Sequence, residues 1–133
     1  MTPNYYPNIV NKQDFSNRTG FLLGVLRIND SRIGFRVLGN GAIGDIRYNV
    51  TTLDKWINVV GVYNGTSMWL YENGVIKNSS NTTPNIENSN VDITFGVNFN
   101  GSLDEVRIYN RSLSESEILA LYNSSHPISG NIT

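Results

Sequence analysis

Short apolar runs broken by four Asn-Gly pairs leave this chain few folds to adopt. The pairs fall at Asn40-Gly41, Asn64-Gly65, Asn73-Gly74 and Asn100-Gly101. Asn and Gly tolerate positive φ, which a two-residue hairpin requires at both of its central positions. Apolar runs recurring about every 8–12 residues between turn signals indicate an antiparallel sandwich or barrel. The predicted strands are Asn8–Lys12, Phe21–Asn29, Arg32–Leu38, Gly44–Val50, Trp56–Tyr63, Ser67–Glu72, Val75–Asn78, Val91–Val97 and Ser102–Tyr109. The pair Asn64-Gly65, set between two apolar runs, is the clearest hairpin. Alternation assigns faces. Val91, Ile93, Phe95 and Val97 share one face opposite Asp92, Thr94 and Gly96, a half-buried strand. Trp56–Tyr63 is apolar on both faces, which suits a strand covered from both sides.

One helix follows. Ser114 and Glu117 form a capping box, and Leu113 and Ile118 fit a hydrophobic staple around it. Ile118, Leu121 and Tyr122 then fall on one face, to be laid on the sheet rim. The helix is expected to stop near Asn123. Residues 1–123 therefore form one domain, and 124–133 a polar tail or linker.

Three passages carry a family resemblance. Trp56-Ile-Asn-Val-Val-Gly-Val-Tyr-Asn-Gly65, Leu70-Tyr-Glu-Asn-Gly74 and Gly101-Ser-Leu-Asp-Glu-Val-Arg-Ile-Tyr-Asn-Arg-Ser-Leu-Ser114 occur here in that order. Together they resemble the laminin-G-like domain of the concanavalin A-like lectin/glucanase superfamily. The resemblance covers about half of the chain and implies an all-β fold, an antiparallel jelly-roll β-sandwich with one short C-terminal helix. It places Trp56 at the family's structural, core-packed tryptophan. It also implies that the first family strands are lacking before Ile9-Val-Asn-Lys12. An exposed sheet edge, or uncovered apolar residues near Phe21–Leu26, is then expected.

Composition narrows the function. A net charge of −1 with no Lys/Arg cluster excludes the electrostatic footprint of a nucleic-acid binder. No apolar run approaches the ~20 residues of a membrane-spanning helix. With no cysteine and a single histidine, His126, in the polar tail, thiolate and histidine chemistry have nothing to work with. Only 16% of residues are charged, so the surface is expected to be polar without ion pairs. Asn-x-Ser/Thr triplets begin at Asn17, Asn29, Asn49, Asn64, Asn78, Asn81, Asn100, Asn110, Asn123 and Asn131. Random placement would give roughly three, so the excess favours real glycan acceptors over compositional accident. That implies an extracellular or cell-surface protein. The lack of cysteine leans toward a prokaryotic envelope, archaeal before bacterial.

Catalysis is not expected. Sandwich glycosidases of the wider superfamily set paired acids on one strand face, whereas Asp104 and Glu105 are adjacent and point to opposite faces. A cross-strand pair drawn from Glu72, Asp92 or Asp104 is what remains for a hydrolase. Asp104 has two readings: a structural carboxylate accepting backbone N–H bonds, or a calcium ligand joined by Asn98 and Asn100. Many relatives bind calcium, but their ligand loops have no match here, and no other cofactor is implied. Glu105, Arg107 and Tyr109 read as a solvated strand face with a cross-strand ion pair. Tyr48, Trp69 and Tyr71 are strand aromatics suited either to core packing or to stacking on sugar rings. The reading is a non-catalytic recognition or adhesion module of an exported, multidomain cell-surface protein. Its partners would be a glycan or glycoprotein and neighbouring modules of a larger chain. The rival is a structural spacer without ligand.

Overall fold

A computed structural model describes residues 7–26, 30–52, 54–81 and 83–125. Eight strands precede one helix: β1 Asn8–Asn11, β2 Gly20–Gly24, β3 Arg32–Gly39, β4 Ala42–Asn49, β5 Val59–Tyr63, β6 Met68–Glu72, β7 Val75–Ser80, β8 Thr94–Phe95 and α1 Glu115–Ser125. They form a five-stranded sheet of order β4-β3-β2-β1-β8 and a three-stranded sheet of order β5-β6-β7, both antiparallel. The fold is an all-β sandwich with a short C-terminal helix.

Turn chemistry decides the hairpins. Asn40 (φ 52°) and Gly41 (φ 72°) close the β3–β4 hairpin, and Asn73 (φ 51°) and Gly74 (φ 79°) close β6–β7. Both are two-residue turns with positive φ at each centre. The Asn64-Gly65 hairpin is built differently. Only Gly65 has positive φ, and the Asn64 Oδ1 accepts from the Thr66 and Ser67 backbone N–H groups at 3.0 and 2.8 Å, an Asx turn. Asn100-Gly101 closes no hairpin.

The main core lies between the sheets. Phe35, Val37, Ile46 and Tyr48 of the large sheet meet Met68 and Leu70 of the small one. A second apolar layer lies outside the small sheet, where Ile118 of α1 is buried on Val62 and Tyr71, with Val60, Trp69 and Leu113 around them. Fully burying Ile118 contributes about 1.5–3 kcal/mol. The helix thus covers a sheet face rather than the rim. This makes β6, not Trp56–Tyr63, the strand buried on both faces. β5 begins only at Val59, is an edge strand and is half-buried. Trp56 lies before it, is 60% exposed and belongs to neither core cluster.

The last two predicted strands depart most from expectation. Of Val91–Val97 only Thr94–Phe95 pairs, because Gly96 (φ 67°) and Asn98 (φ 58°) turn the chain out of extended conformation. Val91, Phe95 and Val97 are exposed. Ser102–Tyr109 forms no strand; Glu105 (φ 51°) breaks its alternation, and Val106, Ile108 and Tyr109 stay in solvent. No cross-strand ion pair of Glu105 or Arg107 exists among the described residues. By contrast Leu22 and Leu26 are fully covered and Phe21 and Leu23 lie on the core. Among the described residues the uncovered apolar side chains are Phe15, Trp56, Val75, Ile76, Ile86, Leu119 and a group in 91–109, and none lies in Phe21–Leu26. Of the predicted strand Phe21–Asn29, the last three positions lie outside the described residues.

Candidate functional site

Alternation along β6 puts Met68, Leu70 and Glu72 toward the large sheet and Trp69 and Tyr71 on the opposite, outer face. Their cross-strand partners on β5 are Val62 and Val60. The chain returning to α1 crosses this face. Between them is an open cleft of about 290 Å³, lined by Asn64, Trp69, Tyr71, Ser112, Leu113, Ser114 and Glu115. That is near the lower end of the roughly 300–1,000 Å³ of small-ligand pockets.

Each wall has a local cause. The Asx turn folds Asn64 back at the end of β5. The capping box holds the helix start: the Glu117 N–H donates to Ser114 Oγ at 3.2 Å, and the Ser114 N–H donates to Glu117 Oε1 at 3.1 Å. Arg111 adds a bidentate grip on Glu117, at 3.0 and 2.6 Å. That guanidinium, with the Ser114 backbone bond, holds the Glu117 carboxyl down to about 2. Leu113, the staple residue, lies against the cluster of Ile118 and Tyr71 and forms the apolar part of the wall. The helix can sit this close because Gly74 has no side chain; a Cβ there would stand 2.8 Å from Leu119 Cδ1.

The cleft combines two rings with polar groups. Trp69 is half-buried and Tyr71 only 7% exposed. Burial, followed by the nearby Glu115 charge, pushes the Tyr71 hydroxyl up, so it stays protonated and able to donate at neutral pH. Glu115 offers acceptors, and Ser112 and Asn64 offer both donors and acceptors. A flat apolar surface rimmed by such groups matches a sugar ring, which has apolar C–H faces and hydroxyl edges.

Tyr48, the third predicted aromatic, is elsewhere. It is buried between the sheets, and its hydroxyl donates to the Glu72 carboxylate, itself buried. Burial and that carboxylate push its hydroxyl well up. Tyr48 cannot stack on a ligand, and Glu72 is engaged in the core. None of the calcium candidates lines the cleft. Asp104 is exposed and accepts the Glu105 N–H at 2.8 Å, while Asn98 and Asn100 lie on the same exposed loop. No group of three or more acidic, His or Cys side chains suited to a metal occurs among the described residues. Of the ten asparagines that open Asn-x-Ser/Thr triplets, Asn17, Asn49, Asn64, Asn78, Asn81, Asn100, Asn110 and Asn123 are exposed. Asn29 and Asn131 lie outside the described residues, as does His126.

Sequence reasoning missed the charges on the outer face of the large sheet. Asp30 binds Arg32 at 2.8 Å and Arg47 at 3.0 Å, and Arg36 binds Asp45 at 2.7 Å, with the Phe15 ring 5.7 Å from the Arg36 guanidinium. The expected surface without ion pairs is thereby corrected. The signal was available, because a two-residue turn at Asn40-Gly41 sets Arg36 opposite Asp45. Asn64, Ser112 and Glu115 gave no comparable signal as partners of Trp69.

Residues 2–119 match the Laminin_G_3 family of the concanavalin A-like lectin/glucanases superfamily, and the chain belongs to that family. No curated protein matches the sequence. Among solved structures, a botulinum neurotoxin type C is similar with a TM-score of 0.65 and 20% identity. The match covers 91% of this chain and 32% of the toxin chain. Cell entry of that toxin depends on interaction with two ganglioside molecules. Residues 221–444 of an S-layer domain-containing protein from Clostridium thermocellum give a TM-score of 0.42 at 21% identity, over 91% of this chain and 64% of that one. This chain thus spans less than two thirds of either. Among the described residues no helix is long and apolar enough to cross a membrane.

Proposed function

We propose that this domain is a non-catalytic recognition module that takes a neutral sugar, as the end of a glycan or glycoconjugate, into the cleft beside Trp69 and Tyr71. One observation carries the reading: half-buried Trp69 and the Tyr71 ring line a small cleft together with Leu113, hydroxyls, a carboxamide and one carboxylate. Rings and polar edges together favour sugars over purely apolar ligands. The size of the cleft suits a terminal sugar, so affinity per module is weak and tandem modules gain by avidity. The ganglioside dependence of a toxin with a similar fold is in line with a glycan partner and assigns no residue here. Exposed acceptor asparagines favour an exported, cell-surface setting beside other modules of a larger chain.

The test is a glycan-array screen of the multimerised domain, wild type and Trp69→Ala. Binding to neutral glycans that Trp69→Ala abolishes is expected; binding unchanged by that substitution sinks the reading. One observation favours a spacer instead: Asn64, a cleft residue, itself opens an Asn-x-Ser/Thr triplet. A module whose cleft is always closed by its own glycan would have no outside ligand.

A further inference from the structure

We infer that an N-linked glycan on Asn64 is the cleft's own occupant, so that modification of this one asparagine sets whether the cleft is open to an outside sugar. The inference rests on the reading of the cleft as a sugar site. Two of the other acceptor side chains spend their nitrogen in a hydrogen bond, and Asn64 alone among the described acceptors lines the cleft. The Asn17 Nδ2 donates to Asp14 Oδ2 at 2.7 Å, and the Asn78 Nδ2 donates to the Arg47 carbonyl at 2.8 Å. For Asn78 that bond ties β7 to β4. Asn64 is the reverse. Its Oδ1 takes three bonds, from the Thr66 N–H at 3.0 Å, the Ser67 N–H at 2.8 Å and the Thr66 hydroxyl at 3.1 Å. Its Nδ2 makes no hydrogen bond among the described residues. The carboxamide is held to the loop through its oxygen alone. Because Thr66 is the third residue of the acceptor triplet, the turn presents the reactive nitrogen and the recognised hydroxyl together.

The chemistry is a glycosyl transfer from an oligosaccharide joined through phosphate to a polyprenyl lipid. The Asn64 Nδ2 forms a bond to the anomeric carbon as the bond from that carbon to the phosphate oxygen breaks. The lipid phosphate leaves with the electron pair, and Nδ2 gives one of its two protons to the transferase's base. The Oδ1 bonds of the turn survive, because the new bond is made at nitrogen alone. Asn64 lines the same cleft as Trp69 and Tyr71, so the first sugars start beside the rings. A short flexible tether gives an effective concentration of about millimolar. Even a stacking site too weak for a free monosaccharide is then filled in part by its own glycan. None of the other described acceptors lines this cleft.

The experiment uses the full chain made in a cell that glycosylates Asn-x-Ser/Thr triplets, with Trp56→Phe so that Trp69 is the sole tryptophan. Peptide mapping reads occupancy of Asn64. Acrylamide quenching of Trp69 is compared between this protein and the same protein carrying Thr66→Ala, which destroys the triplet and keeps both backbone bonds to Asn64 Oδ1. An occupied Asn64 is expected, with Trp69 quenched about twofold less when the glycan is present, as for a site half filled by a tethered sugar. A bare Asn64 overturns the inference, whatever the other acceptors carry. So does an occupied Asn64 with equal quenching. Titrating the Thr66→Ala protein with free neutral sugars separates the two ideas: a Trp69 response there supports the sugar site even if the tethered occupant fails.

Discussion

The half of the molecule built from β3, β4, β6 and β7 and the stretch Val91–Tyr109 are both rich in β-branched and aromatic residues, yet they end in opposite states. In the first, β3 and β6 have a strand on either side, and the edge strands β4 and β7 are joined across the sandwich by the Asn78 bond to the Arg47 carbonyl. In the second, only two residues form a strand and most of the rest are exposed, with Ile108 54% exposed. Among the described residues no hydrogen bond joins β5 to β8, so that flank has no counterpart to the Asn78 bond. Alternation makes a strand possible; a partner and turns of compatible φ make it real. The helix illustrates the same point. Its start signals are local and its position is not, because what it covers is set by β6.

The comparison breaks most easily in the core. Leu70→Ala should cost about 2–5 kcal/mol, since Leu70 is fully buried between the sheets. Urea unfolding should show it as a lower midpoint with unchanged slope. Gly74→Ala should cost less, about 1–2 kcal/mol for the left-handed backbone, plus displacement of Leu119. Near-ultraviolet circular dichroism from the Trp69–Tyr71 face should change with it, because α1 forms that wall of the cleft. Asn78→Ala should cost about 0.5–1.5 kcal/mol, leaving the Arg47 carbonyl to water and unsealing the β4/β7 flank. If Asn78→Ala is neutral while Ile108→Ala is costly, the two regions have been ranked the wrong way round. Ile108→Ala is expected within about 0.5 kcal/mol of wild type.

Acid sharpens the account of the charged face. The Arg32 and Arg47 guanidiniums hold the Asp30 carboxyl well below its usual 3.8. A carboxyl depressed on folding stabilises the protein above its unfolded pKa and loses that contribution as pH falls through the folded one. Wild type should therefore exceed Asp30→Asn in stability at neutral pH and lose that lead below about pH 4. Glu117 acts in the same sense between its usual 4.5 and about 2. Thermal melts at pH 7, 4 and 2.5 read both effects. An Asp30→Asn difference that is constant across this range would contradict the ion-pair description.

Much of the fold was legible because its signals are local. Asn40-Gly41 and Asn73-Gly74 specify turns by φ, Ser114 and Glu117 specify a helix start, and Trp69 and Tyr71 share a face by period. What failed depended on distant contacts. Trp56 lies outside the core and Tyr48 inside it, and neither can be told from a strand pattern without knowing which sheet face is covered. The cleft was half legible: its rings followed from alternation. Apart from Asn64, its polar wall comes from Ser112, Ser114 and Glu115, some forty positions further along the chain than the rings.

The central claim is that the Trp69–Tyr71 cleft is where a sugar binds. It is tested most directly by two-dimensional NMR of the ¹⁵N-labelled chain, made without glycans and titrated with neutral oligosaccharides. Saturable shifts at the Trp69 indole N–H and at the Asn64, Tyr71 and Ser112 amides are predicted, absent in Trp69→Ala. Shifts that leave these positions untouched, or that persist in Trp69→Ala, would contradict it.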